Sequence, residues 1–354
     1  MVAQMKVHAY TSIAANYIPK ARVLAESLRA FHPDMPFHAV LCDAVPPGVR
    51  VEHGPFTSFL TLPELLPERW RQWVFMHDLV EATTGVKGFA LERILEDPDC
   101  GAVFYFDPDT LILAPLHELT GRFRQASILL TPHLTEPESA PGAVVDNEIA
   151  ALRHGVFNLG FLGVKKSDEG LRFARWWASR LERFCYDDIP NGLFTDQRWA
   201  DLAPAFFDEV AILREPEYNV CTWNLSRRRV IAGDDGALYA NGRPVVFYHF
   251  SGLDSGAQEA MLRKYGAGMP ALFDLRSRYL ARCREMGQEE FARLPWAFGC
   301  YDDGEPVRNE ERCVYRRRED LQAAFPDPFQ TEPPEQSYRH WYRSRVELGL
   351  WGEG

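Results

Sequence analysis

The sequence has 354 residues, 46% of them hydrophobic, 25% charged and 13% aromatic, which is enough apolar surface for one large domain or two ordinary ones and too much for a disordered chain. A formal net charge of -11 disfavours a nucleic-acid partner, whose phosphates call for a basic stripe, and the one dense basic run near a possible site, Arg227-Arg228-Arg229, is short. The seven cysteines form no CxxC, the start MVAQMKVHAYTS has no signal-peptide core, and no apolar run reaches the roughly 20 residues that span a bilayer, so reduced thiols and a cytoplasmic protein are expected, with peripheral membrane association left open.

Lys6 to Thr11 reads as a strand, and Ala21, Leu24, Ala25 and Leu28 follow at helical spacing. FHAVLCD (37–43) reads as a second strand, stopped by Pro46-Pro47-Gly48. Strand, helix, strand at the start predicts an α/β fold with a parallel, doubly wound sheet. A helix is expected over Lys87 to Glu96, then a strand in GAVFYFD that ends at Asp107. ASILLTP (126–132) and VFNLGFLGV (156–164) read as further buried strands, with the Pro- and acid-rich HLTEPESAPGAVVDNE between them as a surface loop. EGLRFARWWASRLERF (169–184) is an amphipathic helix whose Phe173, Trp176 and Trp177 belong to the core. RPVVFYHFSG (243–252) reads as the last strand and Met269 to Met286 as a helix. From about Cys300 the chain turns charged and Pro-rich, so the expected division is a main domain over 1–298 and an extension over 299–354 that packs on it.

The chemistry concentrates at VFYFDPDTLIL (103–113). In open α/β sheets ligands sit outside the carboxyl ends of the strands, which is where Asp107 and Asp109 fall. Pro108 fixes a backbone dihedral between them, and two close carboxylates suit a hard divalent cation, Mn2+ or Mg2+, that bridges to nucleotide phosphates. Asp-Pro-Asp is also good turn chemistry. A phosphatase of the haloacid dehalogenase class would use a similar strand with its first Asp as nucleophile, but Thr110 follows Asp109 directly where that class has a Gly between.

FYFDPDTLIL resembles the DxD strand of GT-A fold glycosyltransferases, which use nucleotide-sugar donors and have a Rossmann-like, mostly parallel sheet flanked by helices. Further segments resemble that family in order along most of the chain. AYTSIAANYIPKARVLAESL is similar to its first nucleotide-binding strand and helix, VKGFALERIL to the helix ahead of the DxD strand, and VFNLGFLGV to its N-x-G-F segment. TDQRWADL and VVFYHFSG resemble the Asp-Gln and His-Phe-x-Gly segments of retaining members such as glycogenin-like and lipopolysaccharide galactosyltransferases. YNVCTWNL and the tail are similar to glycosyltransferases of bacterial surface-polysaccharide clusters.

The resemblance implies a metal site of Asp107, Asp109 and His249, with Asp107 also facing the ribose. It implies a catalytic pair, Asp196 and Gln197, beneath the anomeric carbon, and substrate contacts from Thr11, Asn16, Lys87, Asn158, Gly160, Asn219 and Trp223. The implied partners are a nucleotide-diphosphate sugar donor and a glycan or other hydroxyl acceptor. Retaining members usually carry a Lys shortly after His-Phe-x-Gly to hold a phosphate. HFSGLDSGAQEAMLRK has none before Lys264, so Lys87 or Arg227 would take that contact. If configuration inverts instead, Asp146 is the candidate base. A non-catalytic nucleotide-sugar binding protein is the remaining alternative.

Overall fold

VHAYTSI is buried at every position, as a strand covered on both faces must be, and it lies inside the central sheet. A computed structural model gives this fold and describes residues 5–46, 48, 49, 54–347 and 349. Residues 1–4, Pro47 and the last five positions, named in the readings above, lie outside the described residues.

The main sheet has seven strands: β1 Val7–Ile13, β2 Phe37–Leu41, β3 Ser58–Thr61, β4 Ala102–Phe106, β6 Ile128–Pro132, β7 Phe157–Lys165 and β8 Val210–Ile212, with β5 Thr110–Ile112 set off from it. Their spatial order is β8-β6-β7-β4-β1-β2-β3. Only β7 runs antiparallel to its neighbours; every other pairing is parallel. The mostly parallel α/β architecture expected from the GT-A resemblance is the one found.

Period-two alternation in β4 explains how two cores form. Val103 and Tyr105 point to one face, where they pack with Tyr10, Leu91 and Trp177. Phe104 and Phe106 point to the other, with Ile13, Leu24, Phe161 and Phe247. Each such large apolar side chain, fully buried, contributes roughly 1.5–3 kcal/mol relative to exposure. Helix α1 Ile18–Phe31 covers the Phe104 face and helices α2 Leu79–Leu95 and α3 Asp168–Phe184 cover the Tyr105 face, while α4 Pro270–Glu285 packs in a third cluster with Tyr248 and Phe250.

Helix α2 starts earlier than the expected Lys87. Asp78 accepts from the Glu81 amide at 2.8 Å while the Glu81 carboxylate accepts from the Asp78 amide at 3.0 Å, a capping box that fixes the entry at Leu79. Lys87 is therefore mid-helix. Gly88 lets α2 lie close on α3, since a Cβ there would stand 2.7 Å from the Ala178 Cα.

Two further expectations are corrected. The stretch 133–148 is not wholly a loop: Pro141–Ala143 is a helical turn that runs on through Val144–Ile149 and Ala150–His154. Polar ties replace the missing apolar face, for Glu138 accepts from Asn147 at 2.8 Å and from Ser226. RPVVFYHFSG is two strands. Arg243–Pro244 ends a small antiparallel sheet, and β9 Phe247–His249 pairs antiparallel with β5.

Among the described residues, the chain beyond 299 has no separate core. Tyr315, Phe329 and Tyr338 join the core under α2, and Arg312 donates to the carbonyls of Phe75 at 3.0 Å, His77 at 2.9 Å and Phe298 at 2.6 Å. All seven cysteines are free, and among the described residues no helix is long and apolar enough to cross a membrane.

Candidate active site

The end of β4 turns out of the sheet at Asp107, whose amide donates to the Gly160 carbonyl of β7 at 2.9 Å. The chain closes a turn, Thr110 amide to Asp107 carbonyl at 3.0 Å, and leaves along β5. Strand β9 pairs with β5 so that His249 stands opposite Thr110. The Phe250 amide donates to the Asp109 carbonyl at 2.9 Å, which fixes this register. His249 thus arrives beside the acid pair from far along the chain. Its Nε2 lies 3.1 Å from Asp109 Oδ1 and 3.5 Å from Asp107 Oδ2.

Gly160 makes room for this ring. A Cβ at that position would run into His249 and stand 3.0 Å from Asn158 Oδ1. Asn158 Oδ1 in turn accepts from the Gly160 amide at 2.9 Å.

Lys87 reaches in from α2, with 3% of its surface exposed. Its Nζ lies 3.2 Å from Asp107 Oδ1 and 2.9 Å from Asp196 Oδ2. Burial opposes its charge, but the two carboxylates outweigh that and hold the ammonium above its ordinary pKa. One cation shared by two acids does not satisfy the buried one: burial and Asp107 push the Asp196 carboxyl up, against the pull of Lys87. Asp196 precedes the helix Gln197–Ala200, yet its side chain makes no cap and is committed to Lys87 instead. Thr195, just before it, has φ of +44°, a left-handed conformation that costs a β-branched residue roughly 1–3 kcal/mol and that persists where surrounding contacts over-determine it.

Burial raises Asp109 as well, but His249 and Lys20 together hold it below its ordinary value. Burial lowers His249, and Asp109 and Asp107 more than reverse this, so the ring is drawn toward its charged form. Three carboxylates then face one ammonium and one imidazole, and the His249 Nδ1 is buried without a partner. One ligand atom each from Asp107, Asp109 and His249 lies within 4.8 Å of the others. Two carboxylate oxygens and a ring nitrogen at that spacing, in a locally anionic pocket, fit a divalent cation of the Mn2+ or Mg2+ kind.

Two cavities meet at this cluster. The larger, about 440 Å3, is lined by Lys87, Asn158, Gly160, Asp196, Gln197 and Trp223 among others. The smaller, about 350 Å3, is lined by Ser12, Asn16, Tyr17, Leu79 and Asp109. Lys87, Asp107, His249 and Ser251 border both.

The structure brings most of the expected residues together and leaves two aside. Thr11 is fully buried and lines neither cavity, because strand alternation turns it into the sheet's packing while Ser12 faces the opening. Asn219 also lines neither. Its amide donates to Thr131 Oγ1 at 2.8 Å and to the Asn158 carbonyl at 3.2 Å, and its φ of +50° suits the turn it makes. Gln197 lines the larger cavity with both ends of its amide engaged, accepting from the Leu159 amide at 3.2 Å and donating to the His154 carbonyl at 2.9 Å. Asp146 lines the same cavity but is held by Lys264 and, at 2.7 Å, by the Tyr265 hydroxyl. The two cations expected for a phosphate are taken: Lys87 as above, and Arg227 by Glu138 at 3.3 Å.

Sequence reasoning missed Tyr105. Its hydroxyl, kept protonated by burial and the neighbouring Asp107, donates to Asp107 Oδ1 at 2.5 Å and meets Ser12 Oγ at 3.1 Å. The signal was present, since Val103, Tyr105 and Asp107 share one side of a period-two strand. His133 and His154, which line the larger cavity, carried no signal of their own.

No family model matches the sequence. The chain is 27% identical over 168 residues to the uncharacterized protein YfnF of Bacillus subtilis (strain 168), a stretch covering 47% of this chain and 55% of that protein. It is 25% identical over 251 residues to YfnD of the same organism, covering 69% of this chain and 77% of the relative. Among solved structures it is similar to the galactosyltransferase LgtC in complex with donor and acceptor sugar analogs, with a TM-score of 0.40 and 16% identity over 70% of this chain and 87% of that one. It is also similar to mouse xyloside xylosyltransferase 1, with a TM-score of 0.39 and 16% identity over 69% of this chain and 97% of that one.

Proposed function

We propose that the protein is a glycosyltransferase that moves a sugar from a nucleoside-diphosphate sugar to a hydroxyl acceptor and depends on a divalent metal. The observation that carries this reading is the convergence of Asp107, Asp109 and His249 where two cavities meet, beside a buried Lys87–Asp196 pair. A bound Mn2+ or Mg2+ would supply the positive charge that stabilises a departing diphosphate.

The chain's own residues divide the remaining work. The smaller cavity, with Asn16 and Tyr17, suits the nucleoside; the larger suits the transferred sugar and the acceptor. Asn158 and Gly160 form part of the sugar side, with the space that Gly160 leaves filled by the His249 ring. Trp223 offers an apolar face of the kind sugars stack on. In the transfer, the bond from the anomeric carbon to the diphosphate oxygen breaks and a bond to the acceptor oxygen forms. The acceptor proton leaves with the diphosphate, so no strong protein base is required if configuration is retained. Asp196, anchored by Lys87, is the carboxylate that would face the positive charge on the anomeric carbon. Asp146, bound by Lys264 and Tyr265, is a poor base, and this favours retention over inversion. A surface-glycan acceptor is the class proposed.

The test is turnover of a panel of nucleotide sugars with Mn2+, scored by released nucleoside diphosphate with and without simple sugar acceptors. Transfer that is lost in Asp109→Asn with the fold intact supports the reading. Tight donor binding without breakdown under any acceptor would mark a binding protein, and hydrolysis of phosphate esters without nucleotide would mark a phosphatase.

A further inference from the structure

Lys20 is a buried cation beside the acid pair that this scheme leaves without work. It sits in the first turn of α1, 2% exposed. Its Nζ lies 2.5 Å from Asp254 Oδ2 and 3.8 Å from the centre of the Tyr17 ring. The Tyr17 hydroxyl donates to the same Asp254 oxygen. Tyr17 lines the smaller cavity together with Asp109, and Lys20 is close enough to lower the Asp109 carboxyl. The partner differs in kind from those of the other cations around the site. Lys87 is locked between two carboxylates that are part of the cluster. Arg227 and Lys264 are tied to the segment over the larger cavity through Glu138 and Asp146. Asp254 instead stands on the turn after His249, with 54% of its side chain exposed.

A buried ammonium whose one carboxylate comes from an exposed turn can exchange that partner cheaply, because the turn carboxylate regains water as it leaves. A more highly charged anion presented from the cavity side would then be the better partner. We propose that Lys20, with the Tyr17 hydroxyl, grips the terminal phosphate of the donor's diphosphate, and that Asp254 is a displaceable counter-ion that holds both donors until the diphosphate arrives. The proposal rests on the nucleotide-sugar reading above. It explains how the chain dispenses with a lysine directly after HFSG: the cation comes from α1, and the turn supplies its placeholder instead.

The experiment is calorimetric binding of UDP, GDP, ADP and CDP, and of the matching monophosphates, in Mn2+ to the wild type, Lys20→Gln, Lys20→Arg and Asp254→Asn. The expected result is that the diphosphate the wild type prefers binds Lys20→Gln about tenfold or more weakly, in keeping with loss of a charged hydrogen bond. Lys20→Arg restores part of this, Asp254→Asn binds several-fold more tightly, and the monophosphates move far less. Unchanged diphosphate binding in both Lys20→Gln and Asp254→Asn overturns the assignment, as does an equal loss for mono- and diphosphates. If Lys20→Gln does not fold, Asp254→Asn on its exposed turn decides alone, with tighter diphosphate binding for the proposal and equal or weaker binding against it. A wild type that binds no nucleotide removes the functional reading and this inference with it, whereas binding that ignores Lys20 and Asp254 removes only the inference.

Discussion

Nε2 of His249 stands 3.1 Å from Oδ1 of Asp109, and the contact is fixed by backbone pairing rather than by side-chain reach. The short antiparallel ladder between Thr110–Ile112 and Phe247–His249 closes the acid turn from outside the main sheet. A two-strand clip with this register leaves the ring one place to go, the space above Gly160.

That space yields the first prediction. Gly160→Ala puts a methyl into the His249 ring. Overpacking of this kind costs roughly 1–3 kcal/mol, read as a lower denaturant midpoint, and Mn2+ affinity should fall further than stability does, since the ring is displaced from Asp109. Unchanged Mn2+ affinity would show that the ring is not a ligand.

Lys87→Met removes the cation between Asp107 and Asp196. The buried Asp196 carboxylate is then left without its partner, a loss on the order of 3–5 kcal/mol, while the quarter-exposed Asp107 keeps the Tyr105 hydroxyl. The loss should be smaller at pH 5 than at pH 8, because Asp196 is already pushed toward its neutral form and takes a proton when Lys87 is gone. The double variant Lys87→Met/Asp196→Asn should recover much of the stability; chemical denaturation at the two pH values measures both effects.

Acid stability has a separate source. Burial lowers His77 to about 3 and His38 to about 4. In the unfolded chain both rings take protons near the ordinary value of about 6.5. Below that pH the unfolded state binds more protons than the folded one, so stability is complete above about 6.5 and is lost as the pH falls toward the folded values. His77→Gln, which keeps a group able to donate to the Trp73 carbonyl, should flatten the slope of stability against pH between about 6.5 and 3. An unchanged slope would mean that His77 does not govern it.

Asp109→Asn should weaken Mn2+ binding by at least about 100-fold, more than loss of an outer partner would. Its far-ultraviolet circular dichroism should stay that of the wild type, since Asp109 holds no core element through its side chain. Intact Mn2+ affinity would place the cation elsewhere.

Much of this was legible in the sequence because it was written locally. The apolar run to Asp107, the N-x-G-F strand and the Asp-Gln pair each name a site residue by its neighbours, and the structure gathers them. What was lost was set by contacts distant along the chain. The entry of α2 depended on an Asp78–Glu81 box ahead of the apolar stretch, so Lys87 read as a helix start. Thr11 and Ser12 differ only in which face of β1 they occupy, and reading that face requires the register against β4. Asn219 was expected as a contact only through the resemblance of its segment, and its side chain is taken by protein groups instead. Lys20 gave no signal, because its partner lies on a turn 234 residues further along the chain.

The most direct measurement is an anomalous-scattering map from crystals soaked with Mn2+ and the nucleoside diphosphate that binds best. The account predicts one strong manganese peak within coordination distance of Asp107, Asp109 and His249, with diphosphate oxygens completing its shell. Nucleotide bound in well-defined density while these three side chains contact only protein or water, with manganese absent or elsewhere, would contradict it.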